Sequence, residues 1–90
     1  MVINRKAVSG TMESNDIFVE IEPAKSGVQI EVQSIVMNQF GKQIEDSVKD
    51  VLKSFDVKNA TVRVNDRGAV DCTIRARVET ALKRAANEVK

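Results

Sequence analysis

Apolar and polar residues alternate with a period of two in two stretches of the N-terminal third. Ile17, Val19 and Ile21 alternate with Phe18, Glu20 and Glu22, and Val28, Ile30 and Val32 alternate with Gln29, Glu31 and Gln33. That period marks half-buried strands. Pro23 closes the first run, because proline cannot donate to a ladder. Ser26-Gly27 then turns the chain, so the two strands are expected to pair as a hairpin. Beyond them the period lengthens. Phe40, Ile44, Val48, Val51, Leu52 and Phe55 follow one another at intervals of 4, 4, 3, 1 and 3, which is one face of a helix that Ser34 can cap. Lys42, Glu45, Asp46, Lys49, Asp50 and Lys53 fill the other faces, and Gly41 weakens only the first turn.

Strand character returns at Thr61-Val62-Arg63-Val64, followed by a turn signal at Asn65-Asp66-Arg67-Gly68 that reads as a hairpin. Val70, Cys72, Ile74 and Ala76 then alternate with Asp71, Thr73, Arg75 and Arg77, which predicts a further strand; a helix starting at Ala69 is the alternative. From Val78 a second helical stripe runs through Ala81, Leu82, Ala85 and Val89. The predicted fold is α+β, a small two-layer sandwich in the order ββαββα. Its mostly antiparallel sheet carries both helices on one face, with room for an extra short strand near the N-terminus. The 90 residues suit one domain, 1–90, without internal linkers, low-complexity segments or repeats.

Composition narrows the chemistry. The chain has no His and one cysteine, Cys72. No Ser-His or Cys-His pair can form, and a zinc site of thiolates or imidazoles cannot be built from one chain. No calcium-loop spacing is present, so no metal site is expected. Cys72 falls on the apolar phase of its predicted strand and reads as a small buried hydrophobe. A single Cys forms no internal disulfide, which fits a reducing compartment. No stretch approaches the ~20 apolar residues of a membrane span, and residues 1–20 hold no apolar run of signal-peptide type. A soluble, cytoplasmic protein is expected.

Fourteen basic and thirteen acidic residues leave a net charge of +1, and only three residues are aromatic, all Phe. Neither favours a nucleic-acid surface. The charge is unevenly spread. Residues 1–34 carry three basic and five acidic side chains, whereas residues 67–90 carry six basic and three acidic. The basic end, with Arg67, Arg75, Arg77, Lys83, Arg84 and Lys90, is either a solvated face or a docking surface for an acidic partner or phosphates.

One polar knuckle stands out, Glu13-Ser14-Asn15-Asp16, between two short apolar pieces. Ser, Asn and Asp favour turns, and Asn tolerates positive φ. A turn places the Ser14 hydroxyl where another macromolecule can reach it. Its neighbours include no base able to activate it, so Ser14 is either a structural turn residue or an acceptor modified by a separate enzyme. Glu20 and Glu22 share a strand face and form either a carboxylate pair or a solvated face.

Four stretches carry a family resemblance. The stretch Ala7-Val8-Ser9-Gly10-Thr11-Met12-Glu13-Ser14-Asn15-Asp16, with Gln39-Phe40-Gly41, Asp66-Arg67-Gly68-Ala69-Val70-Asp71-Cys72 and Arg75-Ala76-Arg77-Val78-Glu79, resembles the acyl carrier protein (gamma chain) of citrate lyase. The likeness covers nearly the whole chain, with the blocks in the family's order. Met12, where the family often has Leu, and Asn15, where Gly or Ser is common, are mild departures.

The resemblance implies a non-catalytic carrier subunit with no catalytic residues of its own. The family's motif serine maps onto Ser14. There it bears 2'-(5''-phosphoribosyl)-3'-dephospho-CoA through a phosphodiester, attached by a prosthetic-group transferase. The thiol of this group carries an acetyl or citryl thioester between the citrate lyase alpha and beta subunits, while citrate is cleaved to acetate and oxaloacetate. No nucleic-acid or membrane partner is implied. The basic end, through Arg75 and Arg77, would contact partners or the group's phosphates. The acyl carrier subunit of malonate decarboxylase is the nearest alternative, and a small RNA- or protein-binding αβ module is one of a different class.

Overall fold

A computed structural model describes residues 1–35 and 37–86. Six elements follow in the order β1 (Ala7–Gly10), β2 (Ile17–Pro23), β3 (Gly27–Ser34), α1 (Met37–Ser54), β4 (Asn59–Asp66) and α2 (Asp71–Ala86). Among the described residues the strands form one four-stranded sheet, ordered β1-β2-β4-β3. The first two pairings are antiparallel and β3 runs parallel to β4. The α+β class, the mostly antiparallel sheet and the extra N-terminal strand are thus as expected, and both helices pack on one face.

Two sequence expectations are corrected. First, β2 and β3 are not a hairpin: β4 lies between them, with Ile17 opposite Asp66 and Ile30 opposite Val62. Alternation identifies a strand but not its partner. The position between two neighbours falls to β4, where Ala60, Thr61, Val62, Val64 and Asp66 are all buried. β3, more exposed throughout, takes the edge. The parallel β3–β4 pairing then needs a crossover, and α1 supplies it.

Second, residues 71–77 are the first two turns of α2, so the order is βββαβα and the turn at Asn65–Gly68 leads into a helix rather than a hairpin. Ile74 extends the stripe of Val78, Ala81, Leu82 and Ala85 one turn backward, and all five are buried. Over so short a run, period two and the i, i+4 spacing of Ile74 and Val78 select the same residues. Cys72 is consequently exposed, not buried. Val89 lies outside the described residues.

The core lies between the layers. Ile17, Val19 and Ile21 of β2 face Val62 and Val64 of β4, and Ile44, Val48 and Leu52 of α1 meet Val78 and Leu82 of α2 above them. Phe40, expected on the buried face of α1, is 44% exposed. Ser34 ends β3, and its hydroxyl donates to Asp66 at 2.9 Å. On the open face of the sheet, Glu20, Glu22 and Glu31 surround Arg63 at 3.1–3.2 Å, and Lys6 adds to Glu20 at 3.5 Å. Glu20 and Glu22 are therefore a salt-bridged surface, not a paired-carboxylate site.

Candidate functional site: the Ser14 turn

Ser14 is exposed at the tip of the β1–β2 connection. The Asp16 N–H donates to the Glu13 carbonyl at 3.2 Å, closing a turn with Ser14 and Asn15 at its centre. Asn15 has φ 66°, whereas Ser14 is not in the positive-φ region. A positive φ confined to the third turn position is the type II signature, and Asn is one of the few non-glycine residues that accepts it.

The turn runs straight into a bulge. The Asn15 N–H donates to the Arg67 carbonyl at 2.8 Å, and the Arg67 N–H donates to the Asp16 carbonyl at 2.8 Å. Two residues, Asn15 and Asp16, thus oppose one, Arg67, with the first in the left-handed region, which is a β-bulge of the glycine type with Asn in the glycine position. Regular pairing resumes at Ile17 opposite Asp66. Strict alternation would put Asp16 on the open face with Phe18 and Glu20. The bulge breaks that alternation, and the Asp16 carboxylate reaches α2 on the helix side.

There Asp16 is held firmly. Arg77 donates to both its oxygens, from Nε at 3.1 Å and from a terminal nitrogen at 2.9 Å. The Thr11 hydroxyl donates at 2.6 Å and the Ile17 N–H at 2.7 Å. The Arg77 fork, then the Thr11 hydroxyl and the Ile17 amide, pull the Asp16 pKa from 3.8 to about 2. Asp16 is therefore a fixed anion and no base for its neighbour. Gly10 permits the close approach of the strand ends: its φ is +90°, and a Cβ there would lie 1.8 Å from the Ile17 carbonyl oxygen.

The second wall of the site is the β4–α2 connection. The buried Asp66 carboxylate accepts from the Gly68 N–H at 3.1 Å and the Ala69 N–H at 3.0 Å, turning the chain into α2. Gly68 sits in the left-handed region at φ +94°, where a Cβ would touch the Asn15 side chain at 3.6 Å. A cleft of about 270 Å³, lined by Phe40, Ser47, Asp66, Gly68, Asp71 and Ile74 among others, opens beside it.

Ser14, the one site residue expected from sequence, thus stands on a turn braced from two sides. Asp16, Arg77, Arg67 and Thr11 escape sequence reasoning as a group: Asp16 and Arg77 are 61 positions apart, and no local pattern links them. The basic end is largely engaged within the chain. Arg75 bridges Asp71 and Asp50, Arg77 holds Asp16, Lys83 pairs with Glu79, and Arg84 donates to the Val8 carbonyl. The Ser47 hydroxyl and Arg75 together hold the Asp71 carboxyl below its ordinary pKa.

Comparison with known proteins bears on the family and the fold. A family model described as malonate decarboxylase delta subunit (MdcD) matches residues 4–85. The citrate lyase acyl carrier protein of Treponema denticola is 52% identical over 85 residues, covering 94% of this chain and 97% of that protein. That of Halothermothrix orenii is 46% identical over 85 residues, covering 94% and 90%, and that of Klebsiella pneumoniae is 47% identical, covering 93% and 88%. Among solved structures, a chain of a Pseudomonas malonate decarboxylase hetero-tetramer in complex with malonate shares the fold. Its TM-score is 0.77 at 24% identity, with 93% of this chain and 87% of that chain covered. Identity near one half, sustained over nearly the full length of relatives bearing one name, places this chain in the citrate lyase acyl carrier protein family.

Proposed function

We propose that this chain is the acyl carrier subunit of citrate lyase and that Ser14 is where its prosthetic group is attached. The observation that carries the reading is an exposed hydroxyl on a turn pinned to Arg67, just past the end of β4, by two backbone hydrogen bonds and to α2 through the Asp16–Arg77 pair. A rigid scaffold presenting one reachable hydroxyl is what a swinging-arm carrier requires. The residues around Ser14 suit 2'-(5''-phosphoribosyl)-3'-dephospho-CoA joined through a phosphodiester. The hydroxyl accepts no side-chain partner among the described residues, and Gly68 leaves the adjoining wall bare.

Bound there, the group supplies a thiol able to carry an acyl thioester, a function the exposed Cys72 does not need to perform. The chain's own part is positional. Ser14 is the acceptor for the transferase, and with Asp16 fixed as an anion the activating base belongs to that enzyme. The bulge and the Asp16 latch hold the hydroxyl in one place, so the tether confines the thioester to the neighbourhood of the alpha and beta subunits of the lyase. The carrier itself is not a catalyst. Identity of 45–52% to citrate lyase carriers favours that complex over malonate decarboxylase. An RNA-binding role is disfavoured by the glutamate-rich open face of the sheet, which lacks the aromatic platform such modules use. Among the described residues no helix is long and apolar enough to cross a membrane, and we assign the subunit to the cytoplasm.

Intact-mass analysis of the protein from its native host tests the reading. The expected result is an added mass of a nucleotide-thiol group, mapped to Ser14 and lost in a folded Ser14→Ala variant. Native, active protein with only its sequence mass would refute it.

A further inference from the structure

We propose that Arg67 is the phosphate-receiving residue of the anchor, its guanidinium donating to the non-bridging oxygens of a phosphodiester on Ser14. The inference rests on the carrier reading above and deepens it.

Three observations converge on Arg67. Its backbone is locked to the Ser14 turn, since it is the single residue opposing the Asn15–Asp16 bulge, with a 2.8 Å hydrogen bond on either side. Opposed Cα atoms across such a ladder are about 5 Å apart. Ser14 lies one further Cα step of about 3.8 Å beyond Asn15. A phosphate on its hydroxyl therefore falls within the span of an arginine side chain rooted at position 67.

Among the described residues the Arg67 side chain also has no partner. Its Nε is buried and makes no hydrogen bond, and no carboxylate pairs with its guanidinium among the described residues. Only one other buried side-chain polar atom among them is unsatisfied, the Ser9 hydroxyl. Arg63, Arg75, Arg77 and Arg84 are each engaged within the chain. An unpaired buried donor is costly to leave unmade, and such exceptions mark either strain or a missing ligand.

The third observation is electrostatic. The turn holds Glu13 and Asp16, and the buried Asp66 is paired opposite Ile17, the next residue along. Arg77 is committed to Asp16. A phosphodiester would add a further negative charge, with Arg67 as the unassigned cation beside it. A planar guanidinium suits that role, because its fork matches two phosphate oxygens at once.

The test uses the full chain co-expressed with its transferase, as wild type, Arg67→Gln and Arg67→Lys. Arg63→Gln, on the open face, serves as a control. Mass analysis first establishes the adduct on Ser14. Phosphorus NMR of the modified proteins then reads the diester directly. In wild type its resonance should hold steady as salt is raised. In Arg67→Gln it should move to the position of an unstructured serine phosphodiester and follow salt, and Arg63→Gln should match wild type. The rate of modification per unit of apo-carrier should fall on the order of tenfold in Arg67→Gln, the loss expected for one charge-assisted hydrogen bond. A diester resonance identical in wild type and Arg67→Gln would overturn the assignment while leaving the carrier reading intact. So would a wild-type resonance that follows salt like a free diester, a result that needs no variant to fold. An absent adduct on wild-type Ser14 would overturn both.

Discussion

The Asp16–Arg77 latch makes a prediction whose sign and pH range are both set by the structure. Asp16→Asn keeps the side chain's size and removes its charge. In the folded chain the carboxyl titrates at about 2, against 3.8 when free. At about 1.36 kcal/mol per pH unit this corresponds to roughly 2 kcal/mol of stability. The Arg77 side chain is 40% exposed, so solvent screening lowers the expected contribution to about 1 kcal/mol. Because the folded pKa is the lower one, the contribution is complete above a pH of about 4. It fades as pH falls from there to about 2, and is absent below.

Urea unfolding of wild type and Asp16→Asn should therefore differ by about 1 kcal/mol near neutrality and converge near pH 2. Asp46→Asn, which breaks an exposed pair with Lys42, should stay within about 0.5 kcal/mol at every pH. A difference between wild type and Asp16→Asn that is unchanged from neutral pH to pH of about 2 would refute the latch as an electrostatic device. The same variant should leave Ser14 present but less firmly held, so its modification should slow without being abolished.

Other outcomes follow from single positions. Gly10→Ala should lower stability by about 3 kcal/mol or more, read as a drop in Tm, since its Cβ would meet a backbone oxygen at 1.8 Å in a left-handed conformation. Asp66→Asn should cost about 1–3 kcal/mol in chemical denaturation, because the amide replaces one of the acceptors that hold the Gly68 and Ala69 N–H groups and the Ser34 hydroxyl. Native protein should react with a thiol reagent at Cys72 without unfolding, whereas a buried cysteine would react only on unfolding.

Much of the architecture was legible because each helix or strand is specified by its own period. The stripe from Ile44 to Leu52 and the alternation from Ile17 to Ile21 each bury the residues their spacing selects. The Ser14 turn was legible too, since Ser, Asn and Asp together encode a reversal, and Asn15 indeed takes up positive φ. What failed were statements about partners. Residues 71–77 satisfy both periods, and only burial of Ile74 against the core decides for helix. Strand β3 reads as a neighbour of β2, yet the more apolar β4 claims the position between them.

The sequence alone determined the class of fold, the exclusion of imidazole pairs and of a thiolate or imidazole zinc site, and the polar turn that carries Ser14, because these depend on composition and on local spacing. Tertiary structure alone decided how that turn is held. The one-residue bulge that brings Asp16 to Arg77, and Arg67 to the side of Ser14, joins positions up to 61 residues apart. Such contacts are products of strand order and register, which no local pattern encodes.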